Sequence, residues 1–346
     1  MARPLDLSAT YEAAPNIALV KYWGVRDRDR MVPYNSSISV TLDRFRSRTT
    51  VRFDPGRRED RVELNGAVAS GGPREAAVRF LDRVRALAGV PFGAEVRSEN
   101  NFPTASGLAS SASGFAALAG AATAALHLRR SARQLSQLAR FGSGSASRSV
   151  FGGFVEWRAG TKRDGSDCYA RPLFGPGHWP SLVDVVLIVR GAPVKAVRSE
   201  DAMQATVTTS PAYAQRLAEI PGRIRRMRSA VRERDANLLF PLIMEECDSF
   251  REVCETTRPS LDYLTTTSRA LLAEVRTLNR EADRPVAAYT HDAGAHLHVF
   301  TLARDAARVR HRLGRMPGVE RTFLLHAGPG GRRVDRRTVP AAPVGT

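Results

Sequence analysis

Between Asn100 and Gly114 the chain reads Asn-Asn-Phe-Pro-Thr-Ala-Ser-Gly-Leu-Ala-Ser-Ser-Ala-Ser-Gly, and this run of small residues passes straight into the helix-forming stretch Gly114–Leu128. Small side chains let a backbone approach a ligand or another backbone closely. Free N–H groups at a helix N-terminus, with serine hydroxyls beside them, suit the phosphates of a nucleotide. No lysine follows the glycines, so the segment is not a P-loop. The same composition also fits a helix packed flush against its neighbour, and spacing alone leaves both readings open.

A length of 346 residues suits two closely packed domains, and 43% hydrophobic with 25% charged residues is ordinary for a globular protein. No apolar run reaches the roughly 18 residues of a membrane helix, and Met1–Asn16 lacks the basic-then-apolar order of a secretory signal. The expectation is a cytoplasmic protein without a membrane partner. The three cysteines, Cys168, Cys247 and Cys254, are too few for a disulfide framework and read as reduced thiols. Lys and Arg number 52 against 35 Asp and Glu, a net charge of +17 that favours an anionic partner. The arginines are scattered without interleaved aromatic residues, which points to a small phosphorylated metabolite and not to a specific nucleic acid.

Alternating β-branched residues predict strands at Ser37–Leu42, Thr49–Phe53 and Ala94–Ser98, and helices follow at Glu75–Ala88 and Ser131–Arg140, where Ser131 is a natural N-cap. The apolar run Ser181–Arg190 predicts a buried strand that closes the first domain. Beyond it, helices are expected at Ala212–Arg234, Ala236–Glu252 and Leu261–Ala282. Strands at Val286–Thr290 and His296–Leu302 flank an Asp-Ala-Gly turn. The expected division is 1–190 and 191–337, with 338–346 as a flexible tail. Asp292 sits on the turn, where an ionised side chain can face a cleft. His296 and His298 share a strand face but lack a third ligand, so no dedicated protein metal site is expected.

Four segments resemble the GHMP kinase superfamily and, within it, the diphosphomevalonate decarboxylase family. They are Ala14–Gly24 (APNIALVKYWG) with Pro33–Leu42 (PYNSSISVTL), Asn100–Gly114, Gly142–Trp157 (GSGSASRSVFGGFVEW) and Ala288–Leu302 (AYTHDAGAHLHVFTL). The resemblance implies an α+β GHMP kinase fold: an N-terminal domain like the second domain of ribosomal protein S5, a ferredoxin-like C-terminal domain, and an active site in the cleft between them. The implied reaction is ATP-dependent decarboxylation of (R)-5-diphosphomevalonate to isopentenyl diphosphate, with ATP and Mg2+, in the mevalonate pathway of isoprenoid biosynthesis. Its logic is independent of the family. A 3-hydroxy acid has no carbonyl to accept electrons as CO2 leaves, so the tertiary hydroxyl must first become a phosphate leaving group.

By the same resemblance Asp292 is the catalytic aspartate, Arg148 holds the substrate carboxylate, Asn16 lies beside it and Lys21 lies near the aspartate. Tyr22, Ser143 and Ser145 face the substrate's anionic ends. Ser106, Gly107, Ala109, Ser110, Ser111 and Lys195 serve the ATP phosphates, with Mg2+ on Ser110 or Ser111. The chain departs from the family at three points: Val25 replaces a lysine and Glu200 replaces an arginine found in some members, both contacts of the substrate diphosphate, and His296 replaces an asparagine. Arg198 or Arg26 is expected to compensate. The alternatives are a phosphomevalonate or related monophosphate decarboxylase, and a kinase that stops at the phosphoester. A homodimer is expected of an enzyme of this class.

Overall fold

The computed structural model describes residues 6–103, 108–192 and 197–334. The first half contains β1 (Ser8–Ala13), β2 (Asn16–Val20), β3 (Val25–Asp27), β4 (Val32–Pro33), β5 (Ser37–Thr41), β6 (Ser47–Asp54), β7 (Arg61–Leu64) and β8 (Ala67–Val68). Then come α1 (Gly71–Ala88), β9 (Gly93–Asn100), α2 (Ser110–Ala125), α3 (Ala132–Ala139), α4 (Ala146–Ser149), β10 (Phe154–Trp157) and β11 (Ala170–Phe174). The second half contains β12 (Leu182–Val189), α5 (Ser199–Thr209), α6 (Tyr213–Glu233), α7 (Ala236–Glu255), α8 (Thr266–Glu281), β13 (Ala287–Thr290), β14 (Leu297–Leu302), α9 (Ala303–Gly314), β15 (Val319–Leu325) and β16 (Arg332–Val334).

Among the described residues these strands form a sheet ordered β16-β1-β6-β9-β7-β8, two four-stranded sheets ordered β11-β10-β5-β2 and β13-β14-β12-β15, and the small pair β3-β4. Helices α1 and α2 close the first sheet, burying Phe80, Leu81, Ala116 and Ala119 against Val51, Phe53 and Val96. The alanines and glycines of α2 make that contact flush. A Cβ built on Gly120 would lie 2.4 Å from the Tyr11 ring. Close packing thus accounts for the small residues of α2 beyond Gly114, and the helix itself begins at Ser110, earlier than Gly114. Ser131 caps α3 as expected, in a reciprocal capping box with Gln134.

The strand expected to close the first half does not belong to it. β12 is hydrogen bonded along one edge to β14 and along the other to β15. Its apolar run reflects burial on both faces: Leu182, Val186 and Ile188 join the core shared with β2, β5, α6 and α7, while Val185, Leu187 and Val189 join the core beneath α8 and α9. On this pairing we place the start of the second half at β12, ahead of Gly191. Helix α8 begins at Thr266, later than Leu261, because the Thr265 hydroxyl accepts the Ser268 N–H at 3.1 Å and ends the preceding loop. After β15 the chain crosses back, and β16 pairs antiparallel with β1.

Gly120→Ala is expected to lower the free energy of unfolding by about 1–3 kcal/mol despite the better helix propensity of alanine, because the Tyr11 ring cannot withdraw. Urea unfolding of the two proteins measures the difference.

Candidate active site

The end of β2 and the turn between β13 and β14 meet across the two halves. The β2–β5 ladder shifts register between Ala18 and Val20, so Lys21 leaves the sheet with its main chain free for other partners. Its N–H donates to Glu246 Oε1 at 2.8 Å and its carbonyl accepts from Asn35 Nδ2 at 2.9 Å. The buried side chain then reaches Asp292, with Nζ 2.9 Å from Oδ1. The Asp292 side chain keeps 26% of its surface exposed, enough for a ligand to touch it. Burial is the strongest single influence on this carboxyl and pushes its pKa up; the Lys21 charge and hydrogen bond, aided by His298 and Arg148, outweigh it and hold the net value below the ordinary one.

Arg148 lies on α4, buried beside the same carboxylate. Its Nε donates to Asn16 Oδ1 at 2.9 Å and its Nη1 to Ser37 Oγ at 2.5 Å. Asn16 is itself fixed, donating to Ser149 Oγ at 2.8 Å and to the Ser145 carbonyl at 3.1 Å. Burial pulls Arg148 down to about 10, opposed by Asp292 and Tyr22, so the guanidinium stays charged at neutral pH. With the N–H of Nε and one N–H of Nη1 engaged, the second Nη1 N–H and both N–H groups of Nη2 remain to meet a carboxylate.

Tyr22 packs edge-on to Trp157 at 4.8 Å between ring centroids. Its hydroxyl is buried without a hydrogen-bond partner among the described residues. Burial raises its pKa above the usual phenol range, and the Glu200 carboxylate adds to that rise. The ring fits because position 144 is glycine: a Cβ there would stand 2.8 Å from it. On either side of Gly144 the Ser143 and Ser145 hydroxyls are 3.2 Å apart, and Ser143 is 3.4 Å from Ser111 in the first turn of α2. That turn starts from Ala109, left-handed at φ 51°, and has neither a side-chain cap nor an acidic residue. Ser111 is exposed and Ser110 half-buried. These features leave an uncapped helix start with the Ser111 hydroxyl beside that of Ser143.

Ser106, Gly107 and Lys195 lie outside the described residues. Arg198 is exposed, 3.5 Å from Glu200. Val25 is buried in an apolar cluster with Trp23, Met31, Ala202, Met203 and Phe250, so position 25 faces packing and not an open pocket. His296 Nδ1 accepts the Val189 N–H at 3.1 Å while His298 pairs with Asp184 at 2.7 Å, so the two rings serve separate partners. Sequence reasoning missed Ser37, Asn35 and Glu246. Glu246 alone carried a signal, a carboxylate on the otherwise apolar stripe of Leu239, Leu242, Ile243, Cys247 and Phe250.

A family model described as the diphosphomevalonate decarboxylase-like N-terminal domain matches residues 13–170, and one described as the mevalonate 5-diphosphate decarboxylase C-terminal domain matches residues 185–323. The chain is 42% identical over 306 residues to the diphosphomevalonate decarboxylase of Candida albicans, spanning 85% of this chain and 84% of that one. It is 39% identical over 329 residues to the diphosphomevalonate decarboxylase of Rattus norvegicus, spanning 89% and 81%. Among solved structures, the mevalonate diphosphate decarboxylase of Staphylococcus aureus superposes with a TM-score of 0.87 at 34% identity, covering 95% of this chain and 98% of that one. A structure of MDDEF in complex with MVAPP, AMPPCP and magnesium superposes with a TM-score of 0.88 at 34% identity, covering 95% and 99%.

The ionised Asp292 contributes stability above the ordinary carboxylate range, and this contribution is lost as pH falls through its depressed value. Replacing Lys21 by Met leaves burial as the dominant influence and is expected to move the Asp292 protonation midpoint up. Carboxyl carbon NMR on aspartate-labelled protein, assigned with Asp292→Asn, reads the shift. An unchanged midpoint would show that the ion pair does not control this carboxyl.

Proposed function

Because the chain belongs to the diphosphomevalonate decarboxylase family, we propose that it converts (R)-5-diphosphomevalonate to isopentenyl diphosphate, ADP, phosphate and CO2 at the expense of ATP. Its two halves form the GHMP kinase fold that the sequence leads one to expect. The observation that carries the proposal is the meeting of Asp292, Lys21, Arg148 and Asn16 at one point between those halves.

Asp292, held ionised, accepts or orients the proton of the 3-hydroxyl as that oxygen takes the phosphoryl group of ATP. Arg148, held by Asn16 and Ser37, faces the substrate carboxylate, a charge-assisted contact worth about 1.5–3 kcal/mol. Phosphate departure and cleavage of the bond to the carboxylate then form the alkene, the electrons of that bond becoming the double bond. Tyr22, Ser143 and Ser145 stand where the phosphorylated end would lie. The uncapped start of α2 and the hydroxyls of Ser110 and Ser111 fit nucleotide phosphates and Mg2+, and the metal would neutralise phosphate charge there.

A second reading, decarboxylation of the 5-monophosphate, rests on Glu200. Its carboxylate acts on the Tyr22 hydroxyl, at the end of the site where an additional phosphate would sit. The buried Val25 supplies no compensating cation.

Incubation with ATP and mevalonate, its 5-phosphate or its 5-diphosphate is expected to release CO2 and inorganic phosphate fastest from the diphosphate. A phosphoester without CO2 would make the protein a kinase. Asp292→Asn is expected to lower kcat by about a hundredfold to ten-thousandfold with nucleotide binding kept. Glu200→Gln should raise the preference for diphosphate over monophosphate, as a ratio of kcat/KM, by roughly tenfold. No change in that ratio would remove Glu200 from substrate selection.

A further inference from the structure

The Lys21 ammonium does not reach Asp292 by side-chain freedom alone. Lys21 is 3% exposed, and its main chain is gripped on both sides. Asn35 holds the carbonyl from within the first half, whereas the N–H is held by Glu246 of α7, which belongs to the second half. Glu246 is itself fully buried. Its Oε1 also accepts from Arg216, its Oε2 accepts from Arg223 at 2.9 Å, and both arginines come from α6. Arg216 has a further partner in Ser249, and Arg223 has further partners in Glu219 and Glu245.

We infer that Glu246 is a positioning residue of the reaction: it fixes the Lys21 main chain so that the Lys21 ammonium meets Asp292. The inference rests on the role proposed above for Asp292. A buried cluster of one carboxylate and two guanidiniums is a weak source of stability, because desolvation offsets most of the attraction. A specific geometric duty accounts for it better. The duty here is visible: one oxygen binds the peptide N–H of a residue on the opposite half. Asp292 is faced by Lys21 from the end of β2, Arg148 from α4 and His298 from β14. Cys247 of α7 also feels the Lys21 charge, but burial pushes its thiol up to about 11 and so keeps it neutral. Among the charges that face Asp292, Lys21 acts on it most and is hydrogen bonded to it, so displacement of Lys21 would be felt at Asp292.

Glu246→Asp tests this, because it keeps the charge beside the arginines but withdraws the carboxylate by one methylene from the Lys21 N–H. The protonation midpoint of Asp292, read by carboxyl carbon NMR, is expected to rise above that of wild type, in the direction of Lys21→Met. In the assay, kcat should fall roughly tenfold with KM within about threefold. Glu246→Met is the second variant. It keeps the length of the side chain but removes both oxygens, so the Lys21 N–H loses its acceptor and the same rise is expected. A lowered melting temperature with an unchanged Asp292 midpoint in a folded variant overturns the inference, as does failure of both variants to fold, since either outcome leaves Glu246 a stabilising role alone. The NMR readout needs no turnover, so an inactive wild type would count against the proposed reaction and not against this positioning.

Discussion

The hydrogen-bonded ion pair between Lys21 and Asp292 joins residues 271 positions apart, and the arrangement of both halves is answerable to it. A separation of 2.9 Å is kept only while the halves hold their register. What holds them is chiefly apolar: β2, β5, α6, α7 and β12 share one core of Ile17, Leu19, Val40, Ile224, Phe240, Ile243 and Val186. Burial at about 25 cal/mol per Å² makes such a core the main source of cohesion, but apolar contact is non-directional and does not fix register. Directional groups at the same boundary do that. Glu246 binds α6 and the end of β2, and Glu156 of β10, buried as well, pairs with Arg228 of α6. The core thus brings the halves together and the buried carboxylates set where they stop.

The high arginine content acquires a structural meaning on the same grounds. Arg140 is buried and donates to the carbonyls of Arg30, Gly165 and Cys168, tying together the β3–β4 and β10–β11 loops, which have no regular structure to hold them. Arg216 and Arg223 occupy the boundary between the halves. A guanidinium suits such places because its planar fork satisfies several acceptors at once and it remains charged when buried. A net charge of +17 therefore includes cations whose work is internal, and it is a poor guide to what the surface binds.

Local patterns marked the small-residue run before α2, the turn that carries Asp292 and the Gly/Ser-rich approach to Arg148, while the roles expected of these residues came from the family resemblance. Local patterns also gave Ser131 as an N-cap. What was illegible depended on contacts between distant segments. An all-apolar strand announces burial on both faces but not which sheet it joins, so β12 was placed with the wrong half. Leu261 and Leu264 carry an apolar spacing that reads as helix, yet both are buried from a loop, because core packing rewards a buried side chain whatever its backbone. That Ser37 is a partner of Arg148 and Glu246 of Lys21 could not be read, even though Glu246 stood out on an apolar stripe, since no local rule links a helix residue to a strand hydroxyl 111 positions away or the end of a strand to a carboxylate on a helix of the other half.

The return of the chain after β15 has a consequence for how the protein is made. Gly328 exchanges hydrogen bonds with Thr41 and Gly153, and β16 then lies along β1, so the last described residues complete the edge of a sheet begun by the first. The second half is in effect an insertion within the first. As the chain leaves the ribosome from its N-terminus, β1 pairs with β6 early but keeps one edge open until some 320 further residues have emerged, as the register Thr10 with Val334 requires. An unpaired strand edge is a site for wrong pairing between nascent chains, and contacts of such long sequence separation form slowly. Synthesis rate and chaperone capacity should therefore govern the yield of this protein more than its final stability does, and a truncation that removes only β16 should show its cost in aggregation during expression.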